Sequence, residues 1–229
     1  MESNNETTEV LNIYQAVSQK ILSGEYPEGY RLVEAKLAST FGVSRTPVRC
    51  AIERLASEGL VKHNMNRGAV VRQMSIEEVQ TLFIVREVNE ALIAKLASQK
   101  VSPKDVVYLH GVLDEMRQSL QEEDLRKYYD LSHNIHLHIM DIAQNEFLKE
   151  FIIKLYRMTY RYHIGIMLLP GRAKQSFEEH KMIVDAVLSK NPELAEETMK
   201  NHIQKISDFY EDEHNRVFYK FFSNPYKLD

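Results

Sequence analysis

Residues 34–61 read EAKLASTFGVSRTPVRCAIERLASEGLV, and their spacing decides the fold of the first third of the chain. Leu37 and Phe41 recur at one helical turn, which predicts a short helix over residues 34–40. Gly42 and Val43 then form a turn. Ser44 is placed to cap a second helix, and Pro47 costs little at its third position because first-turn amides lack helical partners anyway. That helix turns Val48, Ala51, Ile52 and Leu55 inward and ends near Gly59. Two helices joined through a glycine a few residues long make a helix-turn-helix.

Upstream, Ile13, Val17, Ile21 and Leu22 predict a helix over residues 11–23, stopped by Gly24, Pro27 and Gly29. Residues 1–10 carry three acids and no base and are expected to form a short disordered lead. Downstream, residues 60–62 and 69–72 read as short extended runs around a hairpin tip rich in Asn and Gly. Three helices followed by a hairpin describe a winged helix-turn-helix over residues 11–73. From Ser75 onward the periodicity is helical over 75–99, 103–120, 124–142, 145–168, 173–189 and 193–215. Ser102 before Pro103, Asn145, and Asn191 before Pro192 mark helix starts. The expected fold is mostly α, with an all-α bundle of six or seven helices over residues 74–229.

Composition narrows the setting. Cys50 is the sole cysteine, so an internal disulfide is excluded and a secreted, stapled fold is not indicated. No stretch of 18 apolar residues is present, and the N-terminus lacks a signal peptide's basic start and apolar core. A cytoplasmic location is expected. The chain carries net charge −4, yet residues 11–75 hold nine basic and five acidic residues, against 20 basic and 25 acidic over 76–229. A local positive surface suffices for DNA, because phosphate attraction is screened over about 10 Å.

The helix beginning at Ser44 presents Ser44, Arg45, Thr46 and Arg49 from its first turns, and the two arginines share a face. Arginine there suits the major groove, where it takes guanine O6 and N7 together. Asn66, Arg67 and Gly68 at the hairpin tip suit the sugar-phosphate edge and minor groove, and Lys36 a phosphate. The runs 32–38, 41–49, 52–55 and 58–61, with 67–71 as the wing, closely resemble the GntR family of bacterial transcription regulators. That resemblance implies a homodimer on a palindromic operator, with Arg45 and Arg49 reading bases. Family members often carry Glu where this chain has Cys50, which removes a carboxylate beside Arg49.

In the bundle, His180 and His202 lie eleven residues either side of Asn191, so on antiparallel helices both sit about 16 Å from the hairpin end. His136, nine residues before Asn145, is placed to meet them from a third helix. Three converging imidazoles suit a divalent transition metal, although histidines satisfied in a core or at a surface fit the spacing too.

Residues 76–215 resemble the all-helical FCD ligand-binding domain of the FadR-type branch. Arg86 and Glu90, Ile135-His136, Glu179-His180 with Ile183, Ala186 and Val187, and Ala195, Met199 and His202 carry the likeness. It implies His136, His180 and His202 as ligands to Zn²⁺ or Ni²⁺. Ser132 stands where the family usually has Asp, a weaker and uncharged donor. Asp130 faces elsewhere, His133 and His138 are non-ligands, and His110 and His163 follow no pattern. The implied effector is a small organic acid bound by Arg86, oriented by Glu90, with Arg157 and Tyr162 as further contacts. Three rival readings are a regulator that senses the metal alone, a metal-dependent enzyme, and a structural DNA-bridging protein with a vestigial sensor. The enzyme lacks an evident general base and has no use for the 44–49 face, so no catalytic residue is assigned. The aromatic tail, Phe209, Tyr210, 218–222 and Tyr226, has no assigned role.

Overall fold

A computed structural model describes residues 2–64, 68–167 and 169–211. The described residues form two compact units, one holding residues 2–75 with Tyr156–Arg161, the other holding Ile76–Leu155 and residues 162–211.

The first unit runs α1 (Glu2–Leu22), β1 (Arg31–Leu32), α2 (Glu34–Phe41), α3 (Arg45–Ser57), β2 (Val61–Asn64) and β3 (Gly68–Val71). The strands form an antiparallel sheet in the order β1-β3-β2, with Val61 opposite Val71 and Leu32 opposite Ala69. β1 was not expected, because two residues are too few to show an alternating pattern. The residues expected to form a disordered lead also differ, since α1 begins at Glu2. No Gly or Pro interrupts residues 2–10, and Val10 packs on the core.

Gly42 closes α2 in the left-handed conformation (φ 66°), donating its N–H to Ala38 O. That conformation makes the sharp turn into α3 and favours glycine over residues with a Cβ. Ser44 holds the N-cap position of α3 with extended backbone, but its side chain makes no capping hydrogen bond. Ile13, Val17, Ile21, Leu37, Val48, Ile52, Leu55 and Val71 share one buried core, which fixes α3 by its inner face and leaves its outer face exposed.

The second unit contains α4 (Ile76–Ser98), α5 (Pro103–Gln121), α6 (Leu125–Ala143), α7 (Glu146–Met167) apart from its stretch Tyr156–Arg161, α8 (Arg172–Leu188) and α9 (Pro192–Glu211). Each expected start is built as the sequence indicates. The backbone N–H of Ser102 donates to Asp105 Oδ2 at 2.8 Å. Asn145 Oδ1 accepts from Leu148 N at 3.2 Å, and Asn191 Oδ1 from Leu194 N at 3.0 Å. α4 packs along α9, α5 along α6, and α8 against α5 and α9. No described helix is long and apolar enough to cross a membrane. The part of the aromatic tail beyond residue 211 lies outside the described residues.

Leu55 is fully buried in the first unit's core. Leu55→Ala is expected to lower that unit's stability by about 2–5 kcal/mol, read as a lower midpoint in urea or heat. A loss under about 1 kcal/mol would contradict its placement.

Candidate DNA-reading face and metal centre

On α3, Val48, Ala51, Ile52 and Leu55 are buried while Ser44, Arg45, Thr46 and Arg49 are exposed, so the core sets which residues face outward. Lys36 is exposed on α2. Arg49 is held from across the helix-turn-helix by Glu34 at the start of α2. Its Nε lies 3.3 Å from Oε1 and its Nη2 3.1 Å from Oε2. The Arg49 hydrogen bonds hold the Glu34 carboxyl below its ordinary range. Cys50 is exposed beside Arg49, and the carboxylate that orients this arginine comes from α2 instead. Gly68 opens β3 with φ 69°, opposite Asn64. Asn66 and Arg67 lie outside the described residues.

In the second unit, His136 on α6, His180 on α8 and His202 on α9 are all buried, and their ligand atoms lie within 4.8 Å of one another. The outer nitrogen of each ring is committed. His180 Nδ1 lies 2.7 Å from the Ser176 carbonyl oxygen, His202 Nδ1 2.9 Å from Glu179 Oε2, and His136 Nδ1 2.9 Å from Glu90 Oε2. A carbonyl and an ionised carboxylate only accept, so the Nδ1 of His180 and the Nδ1 of His202 carry the hydrogen and these two rings turn Nε2 inward. His136 Nε2 and His180 Nε2 stand 3.2 Å apart, and His202 Nε2 is buried with no hydrogen-bond partner among the described residues.

Protonation does not relieve this arrangement at neutral pH. Burial, reinforced by His202 and His136, presses His180 well below the ordinary histidine range. Burial also outweighs the Glu179 hydrogen bond and takes His202 down to about 4. Three buried imidazoles with ligand atoms within 4.8 Å of one another fit a divalent cation, and tetrahedral ligands at about 2.0–2.1 Å from a shared ion would stand roughly 3.3 Å apart. Carboxylates on the far ring nitrogens are the usual support for imidazole ligands.

The supporting charges are themselves paired. Burial alone would raise Glu90, but the Arg86 charge and His136 outweigh it and hold the carboxyl at about 2. Arg86 Nε donates to Glu90 Oε1 at 2.8 Å, so Glu90 links Arg86 to His136. Glu179 is likewise held at about 2, against burial, by His202 and Arg172. Arg172 Nη2 donates to Glu179 Oε2 at 3.0 Å. Sequence reasoning named Glu90 only as a partner of Arg86 and gave Glu179, Arg172 and His163 no role. The one available signal was Glu179 lying directly before His180.

The other expected residues are placed as follows. Ser132 is buried one turn before His136, and its hydroxyl donates to Tyr129 O at 2.8 Å. Tyr162 is buried and its carbonyl accepts from the Tyr210 hydroxyl at 2.8 Å. Arg157 is not brought to the histidines; it falls in the segment grouped with the first unit and pairs with Glu58 at 2.6 Å. His138 pairs with Asp105 at 2.9 Å and stacks on Tyr108, away from the three ligands.

Two family models match the chain, the gntR family of bacterial regulatory proteins over residues 9–71 and the FCD domain over residues 81–205. The chain belongs to the GntR family and carries an FCD domain. Membership makes it a DNA-binding regulator rather than an enzyme. Among curated relatives, it is 26% identical over 194 residues to an uncharacterised HTH-type transcriptional regulator, YdhC, of Bacillus subtilis, covering 84% of this chain and 86% of that one. It is 26% identical over 203 residues to a probable D-xylose utilization operon transcriptional repressor of Paenarthrobacter nicotinovorans, covering 86% of both chains. Among solved structures, McbR/YncC of Escherichia coli superposes with a TM-score of 0.74 at 20% identity, over 93% of this chain and 98% of that one, which shows a shared fold.

Glu179→Gln keeps the side chain's size but removes the acceptor charge behind His202. Zinc affinity, measured by chelator competition, is expected to fall about 10–100-fold. His180→Ala should abolish stoichiometric zinc binding. Unchanged affinity in both variants would remove the case for a metal at this centre.

Proposed function

We propose that this protein is an effector-responsive transcriptional repressor of the FadR-type branch. In this reading, residues 11–73 bind DNA and residues 74–229 sense a ligand. It acts in the cytoplasm as a homodimer, placing one recognition helix in each half of a palindromic operator. Arg45 and Arg49 take base edges; Ser44, Thr46 and Lys36 take phosphates or bases; Asn66, Arg67 and Gly68 contact the groove edge. His136, His180 and His202 hold a divalent ion, Zn²⁺ or Ni²⁺. The hydroxyl of Ser132 adds at most a weak fourth donor. The ion supplies a Lewis-acidic anchor for a small organic acid. Arg86 and Glu90 support the centre from behind His136. Arg157 and Tyr162 are the weakest members of the expected effector set.

The observation that carries the reading is the pair of features built by one chain: an exposed Ser44, Arg45, Thr46 and Arg49 face, and a buried trio of inward Nε2 atoms. The repressor sign rests on the relative named as a repressor at 26% identity. The homodimer is supported by α4, where Ile84, Val88 and Leu92 follow at one-turn intervals and are 53%, 62% and 39% exposed. Such a stripe on a soluble helix suits a second copy of itself across a two-fold axis.

Capture of genomic fragments on the purified protein is expected to enrich one palindrome. Arg49→Ala should weaken its binding by about 1–3 kcal/mol, a fivefold to 150-fold loss. Enrichment of no sequence under any metal or acid condition tested would overturn the regulator assignment. An acid that acts as effector should change operator affinity about 5–150-fold. A response to zinc alone, with no acid bound, would favour the metal-sensing alternative. Val88→Glu is expected to shift the sedimenting species toward monomer; an unchanged dimer would place the interface elsewhere.

A further inference from the structure

The stretch Tyr156–Arg161 of α7 belongs to the first unit, although the helix on either side of it belongs to the second. Its side chains meet the ends of two helices of the first unit. Arg157 Nη1 lies 2.6 Å from Glu58 Oε2, and the Tyr14 hydroxyl donates to that same oxygen at 2.7 Å. Glu58 is the C-cap residue of α3, the helix that carries Arg45 and Arg49, and its side chain is only 9% exposed. Arg161 Nη2 donates at 3.0 Å to the carbonyl oxygen of Ile21 in the last turn of α1, and Arg161 Nη1 lies 3.8 Å from Glu28 Oε1. Met158, between the two arginines in sequence, covers the turn from α3 into β2: a Cβ on Gly59 would stand 2.8 Å from its sulfur.

Charge explains why this stretch sits where it does. A carboxylate at the C-terminal end of a helix faces the negative end of the dipole, and burial removes the water that would offset it. Glu58 therefore needs cations. Arg54, one turn earlier on α3, comes only to 3.6 Å from Oε1, and its guanidinium lies 4.0 Å over the Tyr14 ring. Arg157 is the closer of the two cations, and it comes from outside the helix-turn-helix. A guanidinium at the Ile21 carbonyl suits the negative end of α1 for the same reason. Two cations four residues apart on one face of α7 thus engage the C-terminal ends of α1 and α3.

We propose that Arg157 is a positioning residue for DNA reading: through Glu58 it sets the tilt of α3, and with it the root of the wing at Gly59. This rests on the DNA-binding reading above and takes Arg157 out of the effector set. The core grips α3 by its inner face, which leaves rotation about that face to be fixed at an end. The N-terminal end must stay open for DNA, so the C-terminal end is the place to hold. The DNA-reading unit is then more than residues 11–73, because it includes a stretch of the fourth bundle helix.

The test uses the full-length protein with the palindrome that the wild type captures and a scrambled duplex of the same length. Arg157→Gln removes the charge from a side chain 35% exposed. It is expected to weaken binding of the palindrome about fivefold or more and to leave the scrambled duplex unchanged, because misplaced base contacts are lost while phosphate contacts persist. Arg157→Lys should recover part of the loss. Glu58→Gln keeps an acceptor for the Tyr14 hydroxyl and should reproduce the loss, and the double variant should bind no more weakly than the weaker single one. Wild-type discrimination in Arg157→Gln, an equal fall on both duplexes, or additive losses in the double variant overturns the proposal. If Arg157→Gln does not fold, Glu58→Gln is read in its place by the same measurements. Hydrogen exchange without DNA separates this proposal from the regulator reading. Arg157→Gln should speed exchange over residues 54–60, and unchanged exchange there overturns the proposal. A wild type that selects no palindrome counts against the regulator reading, and the exchange result then decides the role of Arg157 in holding α3.

Discussion

Three buried imidazoles are held together, each with a carboxylate or carbonyl oxygen within 3 Å of its outer nitrogen. Much of the second unit is arranged to enforce this. A carboxylate or carbonyl behind each ring chooses the tautomer, and an arginine behind each carboxylate keeps it ionised. Buried ion pairs of this sort are weak contributors to stability, because desolvation offsets their attraction. Their value here is positional. Arg86–Glu90–His136 and Arg172–Glu179–His202 are two parallel relays that set ring orientation from two different helices. His180 is set by its own helix, through the carbonyl one turn earlier.

The first unit solves an opposite problem. Its functional side chains must face water and remain available to a polyanion. The core achieves this by gripping α3 along Val48, Ile52 and Leu55, so that Arg45 and Arg49 have nowhere to go but outward. The Arg49–Glu34 pair is exposed, so solvent and salt screen it to a small net energy. It orients the guanidinium without sequestering it. The departure at Cys50 therefore removes a neighbour of Arg49 and not its only acidic partner.

The sequence alone determined the order of the helices and of the hairpin, but not the short strand β1. Helix breaks at Gly42, Ser102, Asn145 and Asn191 are local events, governed by left-handed backbone at Gly42, by the Asp105 carboxylate accepting the Ser102 N–H, and by an asparagine oxygen accepting an N–H three residues on, so they are visible in a short window. The burial of Val48, Ile52 and Leu55 followed from the 3.6-residue period. The meeting of His136, His180 and His202 followed from counting equal rises from a helix hairpin. Those features depend on neighbours close in sequence or on simple geometry. What only the tertiary structure decided is which polar groups face one another across helices. Glu34 reaches Arg49 over 15 positions, Glu90 meets His136 on another helix, and Glu179 takes both Arg172 and His202 while Arg86 goes to Glu90. Two arginines in helical sequence look alike. They are told apart only by the acceptors that packing brings within 3 Å, because hydrogen bonding is short-ranged and directional while hydrophobic periodicity is neither.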